Sequence, residues 1–180
     1  INIRMIIKGR KLKLSVVILT KNESSRIHRC LDSIKGWADE IIVIDDNSPD
    51  GTWKIVKKLQ KKYSNLKLIV RKKKLGLGSG VMEGFKIAKG DILGVLDCDF
   101  SHPPDKIPLF IKAIREGYDI AIGSRYIAKG GIKGWSKKRI ITSKIATLFA
   151  KPIANASDPM SGYFFIKKEV IKNFSLKFKG

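Results

Sequence analysis

Short apolar runs rich in Val, Ile and Leu recur along the chain, and stretches with helical spacing separate them. Continuous apolar runs of this length predict buried strands, whereas apolar residues three and four positions apart predict amphipathic helices. The predicted strands cover residues 14–20, 40–45, 66–70, 91–97 and 118–124, and the predicted helices cover residues 24–37, 52–63, 81–89 and 104–117. This alternation is typical of βαβ units, so we expect an α/β fold with a mostly parallel sheet and helices on both faces.

The pattern changes after Ser124. A glycine- and lysine-rich loop is followed by an apolar helical stretch that Pro152 interrupts, and then by a turn, a strand and a further helix between Asp158 and Ile171. The stretch 135–154 mixes Lys and Arg with Ile, Leu and Phe, which is typical of a helix at a membrane interface. A helix in the core or at a dimer contact fits the same pattern equally well.

Polar clusters follow the predicted strands, at the points where ligands bind in open α/β sheets. They are Thr20–Glu23, Asp45–Asn47, Arg71–Lys74, the pair Asp97 and Asp99, and the pair Ser124 and Arg125. Five clusters at one edge of the sheet indicate a nucleotide pocket, although loops contribute some polar residues by default.

Two carboxylates, Asp97 and Asp99, end the fourth predicted strand with Cys98 between them. Alternation along a strand puts both on one face, where they repel each other unless a cation lies near. Oxygen ligands select Mg²⁺ or Mn²⁺, and Mg²⁺ typically takes one or two carboxylates together with substrate phosphates. The pair therefore predicts a metal-bound diphosphate. In the alternative interpretation, Asp99 caps the helix that follows and Asp97 is a solvated strand end.

The glycine run Leu75–Gly84 follows a strand and opens a helix, as a dinucleotide-binding fingerprint does. Its spacing is G-x-G-x-G, which departs from the G-x-G-x-x-G of that fingerprint, and it follows the third strand instead of the first. The simpler interpretation is a helix start at which glycines allow close approach to the sheet.

The remaining chemistry-bearing residues are few. His28 and His102 have no zinc-type spacing to the cysteines. We expect His28 on a solvated helix face. His102 lies in the loop after the aspartate pair, where a ligand contact stays open, although a loop histidine is more often neither a base nor a ligand. Cys30 and Cys98 both lie in apolar stretches and are expected to be buried thiols of a reducing compartment.

The charge is strongly positive, with 37 Lys and Arg against 16 Asp and Glu and a formal net charge of +21. Such an excess predicts polyanionic partners: nucleic acid, phosphorylated ligands or an anionic membrane surface. A nucleic-acid-binding domain is the less favoured interpretation, because basic motifs interleaved with aromatics are missing. No apolar run approaches the length of about 18 residues that a spanning helix requires.

In combination and order, these motifs resemble family 2 glycosyltransferases of the GT-A fold, and among them the dolichyl-phosphate (polyprenyl-phosphate) mannosyltransferases. The resemblance extends from about Leu14 to about Val170 and is carried by "VVILTKNE", "IIVIDDNSPDGT", "GLGSGVMEGF", "DCDFSHPP", "IGSRY", "WSKKRIITSKIA" and "DPMSGYF". It implies metal-dependent transfer of a hexose, with inversion, from GDP-mannose or UDP-glucose to a polyprenyl or dolichyl phosphate. "WADEIIVIDD" is also similar to relatives that act on a glycan or lipopolysaccharide hydroxyl.

The resemblance also implies roles for individual residues. Asp99 and Arg125 are the expected catalytic residues. The nucleotide sugar is expected to bind Thr20, Asn22, Glu23, Asp46, Arg71 and Asp97. The metal, Mg²⁺ or Mn²⁺, is expected at Asp97, Asp99 and Ser101, and the acceptor phosphate at Arg125, Arg139 and Ser143. Asp158, Ser161 and Gly162 match a family loop near the acceptor side.

One segment departs from the family pattern. The usual Pro-Thr-Tyr-Asn-Glu reads Leu-Thr-Lys-Asn-Glu over residues 19–23, which leaves the stacking of the base, and hence the nucleotide, open. A phosphate acceptor is already ionised near neutral pH and needs no general base, so arginines to position it are the expected requirement.

Location and domain organisation follow from the same resemblance. We expect a single GT-A catalytic domain over residues 1–180, with an N-terminal extension over 1–13 and with a further segment beyond Gly180 left open. The expected place is the cytoplasm, peripheral at the cytoplasmic face of the membrane, with an anionic membrane surface as a partner and no nucleic acid.

Overall fold

The computed structural model describes residues 6–7, 10–73, 76–126, 136, 143, 147–148 and 157–172. The described strands are β1 (Ile6–Ile7), β2 (Arg10–Lys11), β3 (Leu14–Thr20), β4 (Glu40–Asp45), β5 (Leu66–Val70), β6 (Ile92–Asp97), β7 (Ile120–Ile122) and β8 (Phe164–Lys167). The described helices are α1 (Ile27–Ile34), α2 (Thr52–Leu59), α3 (Leu77–Ile87), α4 (Ile107–Arg115) and α5 (Lys168–Lys172), with a 3-10 helix, Pro104–Lys106, before α4.

Six of these strands form one sheet in the order β5-β4-β3-β6-β8-β7. β3 pairs in parallel with β4 and β6, and β4 pairs in parallel with β5. β8 lies between β6 and β7 and pairs antiparallel with both, so β6 and β7 run in the same direction and β8 runs against them. The predicted mostly parallel sheet is confirmed, whereas the antiparallel insertion of β8 was not predicted. β1 and β2 form a separate antiparallel pair within the expected N-terminal extension.

The two faces of the sheet are covered by different helices, as predicted. Alternate residues of β3 divide between two apolar clusters, with Val16 in one and Val17 in the other. The first cluster contains the buried faces of α1, α2 and α4. The second contains Phe85 of α3 and, at its margin, Val170 of α5. Burial on both faces explains why β3 and β4 are almost continuously apolar.

The glycines of the run before α3 allow close packing against the sheet. A Cβ at Gly80 would lie 2.5 Å from Leu19 Cδ2, and one at Gly84 would lie 2.6 Å from Val17 Cγ1. The interpretation of this run as a close-approach helix start is therefore confirmed. The helix begins at Leu77, four residues earlier than predicted, because the contact with the sheet accommodates glycines that would otherwise disfavour a helix.

Cys30 and Cys98 are buried free thiols of the first cluster, and their mutual hydrogen bond together with burial raises the pKa of Cys98. The apolar stretch after residue 139 lies outside the described residues apart from Ser143, Thr147 and Leu148, which are helical. Within the part of the chain that the structure describes, no helix is long and apolar enough to cross a membrane.

Candidate active site

The ends of β3 and β4 are joined through the carboxylate of Asp45, which is fully buried. It accepts hydrogen bonds from Thr20 Oγ1 at 2.8 Å, from Ser48 N–H at 2.8 Å and from Ser48 Oγ at 2.7 Å. Three donors compensate the burial of the charged group. The Thr20 hydroxyl, a predicted nucleotide contact, is thus directed into the protein, where it shapes the loop after β4.

The loop after β3 carries the predicted residues Asn22 and Glu23. The Asn22 N–H donates to Ser48 Oγ at 3.0 Å, and the exposed Asn22 adopts a left-handed φ of 60°. The Glu23 N–H donates to Thr52 Oγ1 at 2.9 Å, while its carboxylate accepts a hydrogen bond from Arg26 at 2.8 Å. Backbone bonds therefore hold the β3 loop against the β4 loop and leave the Asn22 side chain exposed.

Lys21, for which the sequence indicated no separate role, reinforces this contact. Its Nζ donates to the carbonyl oxygen of Asp46 at 2.6 Å and to that of Asn47 at 3.2 Å. The lysine occupies the position at which the family pattern has Tyr. Here it fixes the backbone beside Asp46 by charge-assisted hydrogen bonds.

Asp46 and Arg71, both predicted to hold the nucleoside, form a buried ion pair with each other. Arg71 Nε and Asp46 Oδ1 are 2.5 Å apart. The guanidinium also donates to Ser79 Oγ at 2.9 Å and to the Gly76 carbonyl at 3.3 Å. The pair therefore connects the ends of β4 and β5 to the start of α3, which makes Arg71 a rigid part of the sheet edge.

Asp97 and Asp99 lie at the end of β6, where Cys98 points into the core and the two carboxylates remain accessible. Burial raises the pKa of Asp97, and the negative charge of Asp99 acts in the same direction against the opposing influence of His102. Although its partial burial acts in the opposite direction, the hydrogen bonds from Ser101 hold the pKa of Asp99 below its ordinary value. The two carboxylates thus influence each other, although Asp99 lies in a turn beyond the end of β6 and not on the strand itself.

The alternative role of Asp99 as a helix cap is wrong. Its Oδ1 accepts a hydrogen bond from the Ser101 N–H at 2.9 Å, which closes a local turn. The 3-10 helix that follows begins after Pro103 and has no side-chain cap. Ser101 itself, the third predicted metal ligand, is exposed beside Asp99.

The contacts of His102 in this loop were not predicted from the sequence. Its Nδ1 accepts a hydrogen bond from the Asp97 N–H at 2.9 Å, and its Nε2 lies 3.5 Å from Asp97 Oδ2. The ring stacks on Tyr163 with centroids 4.7 Å apart, and the Tyr163 hydroxyl donates to the Pro103 carbonyl at 2.8 Å. Burial lowers the pKa of His102, although both aspartates act in the opposite direction. No local signal predicts the contacts with Tyr163, which is distant in sequence, and the contact with Asp97 depends on how the loop after β6 folds back.

Arg125, predicted to bind the acceptor phosphate, is held by Asp158. Its side-chain Nε and one terminal nitrogen each lie 2.7 Å from a different oxygen of the Asp158 carboxylate. Its backbone N–H also donates to Asp158 Oδ2, at 3.0 Å. Burial opposes ionisation of Asp158, but the hydrogen bonds and charge of Arg125 hold its pKa below the ordinary value. A carboxylate buried this completely requires a compensating charge, which Arg125 provides.

The loop before β8 carries Asp158, Ser161 and Gly162 to the end of β7. Ser161 Oγ donates to the Gly123 carbonyl at 2.7 Å, and the Gly123 N–H donates to the Tyr163 carbonyl at 2.7 Å. Gly162 packs near the His102 ring. Because β8 runs antiparallel, its first residues lie at the same edge as the carboxyl ends of β6 and β7.

Two further residues, Ser143 and Arg139, were predicted to contact the acceptor phosphate. Ser143 Oγ lies 3.0 Å from the Tyr126 hydroxyl, next to Arg125 in sequence. Arg139 lies outside the described residues.

The carboxylate pair fits a divalent ion that is shared with a substrate. Among the described residues, no group of three or more His, Cys, Asp or Glu side chains forms a metal site. Two accessible carboxylates with interacting charges match the number that Mg²⁺ takes from proteins when phosphates provide further ligands. The structure therefore fits a cation that binds together with a diphosphate.

The fold is that of the GT-A glycosyltransferases. S. aureus TarS 1-349 in complex with UDP superposes with a TM-score of 0.63 at 23% identity, over 93% of this chain and 50% of that one. The mannosyltransferase PcManGT from Pyrobaculum calidifontis, solved with GDP-Man and Mn²⁺, gives a TM-score of 0.50 at 24% identity, over 59% of this chain and 32% of that one.

The chain belongs to glycosyl transferase family 2, whose sequence pattern matches residues 15–174. It is 42% identical over 173 residues to a dolichol-phosphate mannosyltransferase of Pyrococcus furiosus. That alignment covers 92% of this chain and 49% of the relative, so the chain spans about half the length of that protein.

Proposed function

We propose that this chain transfers mannose from GDP-mannose to a polyprenyl phosphate such as dolichyl phosphate, with the help of Mg²⁺ or Mn²⁺. The observation that carries the proposal is the placement of an accessible carboxylate pair, Asp97 and Asp99, at one sheet edge with an arginine that Asp158 orients. The 42% identity to a dolichol-phosphate mannosyltransferase supports the choice of donor and acceptor.

The donor side is formed by the ends of β3, β4 and β5. Glu23 and the Asp46–Arg71 pair would hold the nucleoside, and the buried ion pair keeps that surface rigid before the nucleotide arrives. Asp97, Asp99 and Ser101 would hold the cation. When bound, the ion would neutralise the charge that develops on the leaving diphosphate.

The acceptor side is formed by the ends of β7 and β8. Arg125 would bind the acceptor phosphate, because a guanidinium matches the geometry of phosphate oxygens. Asp158 fixes its direction with two side-chain hydrogen bonds of 2.7 Å each. We expect Arg139 and Ser143 to contact the same phosphate. Since the phosphate is ionised near neutral pH, no side chain has to remove a proton.

The chemical step is a displacement at the anomeric carbon of mannose. An oxygen of the acceptor phosphate forms the new bond to this carbon, while the bond to the diphosphate oxygen of GDP breaks on the opposite face. The products are polyprenyl phosphate mannose, with inverted configuration, and GDP. A lipid acceptor places the reaction at a membrane, and we propose a peripheral position at its cytoplasmic face.

The test is a transfer assay with radiolabelled GDP-mannose and UDP-glucose, dolichyl phosphate and Mn²⁺. Wild type should transfer mannose, and EDTA or the substitution Asp99→Asn should lower the rate by a factor of 100 or more, on the order of a lost electrostatic contact in a transition state. Asp105→Asn is the matched control, because Asp105 is exposed and pairs with its neighbour Lys106.

Other outcomes would redirect or reject the proposal. Full activity in Asp99→Asn or in EDTA would reject the metal role. Transfer to a glycan or lipopolysaccharide hydroxyl, but not to a lipid phosphate, would favour the alternative acceptor.

A further inference from the structure

His102 lies between the end of β6 and the loop before β8, and neighbours enclose its ring on several sides. Its side chain is 14% exposed, compared with 54% for the other histidine, His28. Asp97 contacts both ring nitrogens, Tyr163 stacks on one face, and a Cβ at Gly162 would lie 3.6 Å from its Cε1. A ring held in this way has one orientation, so each nitrogen meets a fixed neighbour.

The hydrogen bond to Nδ1 defines which nitrogen carries the proton. Since Nδ1 accepts from the Asp97 N–H, a neutral ring has its proton on Nε2. The Nε2 atom lies 3.5 Å from Asp97 Oδ2, a contact longer than an ordinary hydrogen bond. One imidazole thus contacts both the backbone and the carboxylate of the same aspartate.

The position of His102 follows from where strand pairing stops. β8 pairs with β6 from Ile92 to Val95, where Val95 is opposite Phe164. Asp97 is the last residue of β6 and lies beyond this pairing, so no residue of β8 accepts its N–H. His102 Nδ1 provides the acceptor that a longer β8 would have provided, because a strand N–H that is partly withdrawn from water requires a partner.

We infer that His102 is a positioning residue that fixes Asp97 at the end of β6 and, through its stack on Tyr163, joins the metal-side carboxylate to the acceptor-side loop. The inference rests on the proposed function, in which Asp97 is a metal ligand. Partners that orient metal ligands typically change metal affinity by about 10- to 100-fold when they are removed.

Three substitutions separate the contributions of the ring. His102→Asn keeps an acceptor near the place of Nδ1, His102→Gln keeps a donor near the place of Nε2, and His102→Ala keeps neither. The affinity for Mn²⁺ in the presence of GDP is measured by the electron paramagnetic resonance of free Mn²⁺, and thermal unfolding checks that each variant folds. His28→Asn is the matched control, because His28 is exposed on α1.

We expect Ala to weaken Mn²⁺ binding by about 10-fold or more, and Asn to restore most of the affinity because the 2.9 Å bond to Nδ1 is the closer contact. Gln should restore less, and the His28 variant should match wild type. Nitrogen-15 spectra of the ring should show the proton on Nε2. Wild-type affinity in the Ala variant, or equal losses in all three variants, would overturn the inference alone. Failure of the wild-type chain to bind Mn²⁺ with GDP would instead overturn the proposed function and this inference with it.

Discussion

The substitution Asp158→Asn tests the ion pair of the site whose carboxylate is the most completely buried. Asp158 is 0% exposed and accepts three hydrogen bonds from Arg125, at 3.0, 2.7 and 2.7 Å. Asparagine has nearly the same shape but offers a single oxygen, and its amide group would face an arginine donor. The substitution therefore removes the charge and at least one arm of the bidentate contact without opening a cavity.

The expected cost follows from the burial of both partners. Removal of one partner of a buried pair typically costs about 3–5 kcal/mol. Arg125 is 20% exposed, so water partly solvates the remaining guanidinium and the lower end, about 3 kcal/mol, is expected. Because Arg125 loses its fixed direction, the KM for the acceptor phosphate should rise about tenfold or more, the equivalent of one weakened charged hydrogen bond.

The assay combines urea unfolding with transfer kinetics, and Asp119→Asn provides the control. Asp119 pairs with Lys167 at 2.8 Å, but its side chain is 68% exposed, so this loss should cost less than about 1 kcal/mol. The KM for GDP-mannose should change little in either variant. An Asp158→Asn protein as stable as the control, with an unchanged acceptor KM, would refute the argument that Asp158 orients Arg125.

Two further predictions concern the frame of the site. Gly94→Ala should lower the free energy of unfolding in urea by about 1–3 kcal/mol, because the added Cβ would lie 2.5 Å from Phe165 Cε1. Gly36→Ala is the control: a Cβ there has nothing within 4 Å, so the free energy of unfolding should change little. Although burial acts in the opposite direction, hydrogen bonds from Thr52 and Ser24 lower the pKa of Asp50 to about 2. Its contribution to stability should be complete above about pH 4 and be lost as the pH falls through 2, with a carboxyl NMR titration midpoint near 2; a midpoint near 4 would contradict this.

The local pattern was sufficient for the parallel part of the sheet. The strands predicted over 14–20, 40–45 and 66–70 have the bounds that the structure shows. Strands buried on both faces are continuously apolar, so their ends are visible where polar residues begin. The same rule placed Asp46, Arg71 and Asp97 at one edge, because the carboxyl ends of parallel strands coincide there.

The sequence did not show which of these side chains contact each other. Asp46 and Arg71 were each predicted to contact a nucleoside, but the pattern did not show that they contact each other across β4 and β5. His102 was interpreted as a loop histidine that is more often neither a base nor a ligand, although both of its ring nitrogens contact Asp97. Side-chain pairing depends on which loops meet, and spacing along one segment does not contain that information.

The sequence alone determined the alternating α/β pattern, the parallel strands and the edge at which the acidic and basic residues collect, because these depend on short-range periodicity and on the direction of strands. The tertiary structure decided that β8 inserts antiparallel between β6 and β7. That insertion brings Asp158 to Arg125 and Tyr163 to His102 over 33 and 61 positions of the chain, respectively. Such contacts arise from the packing of distant segments around a shared core, which no local pattern encodes.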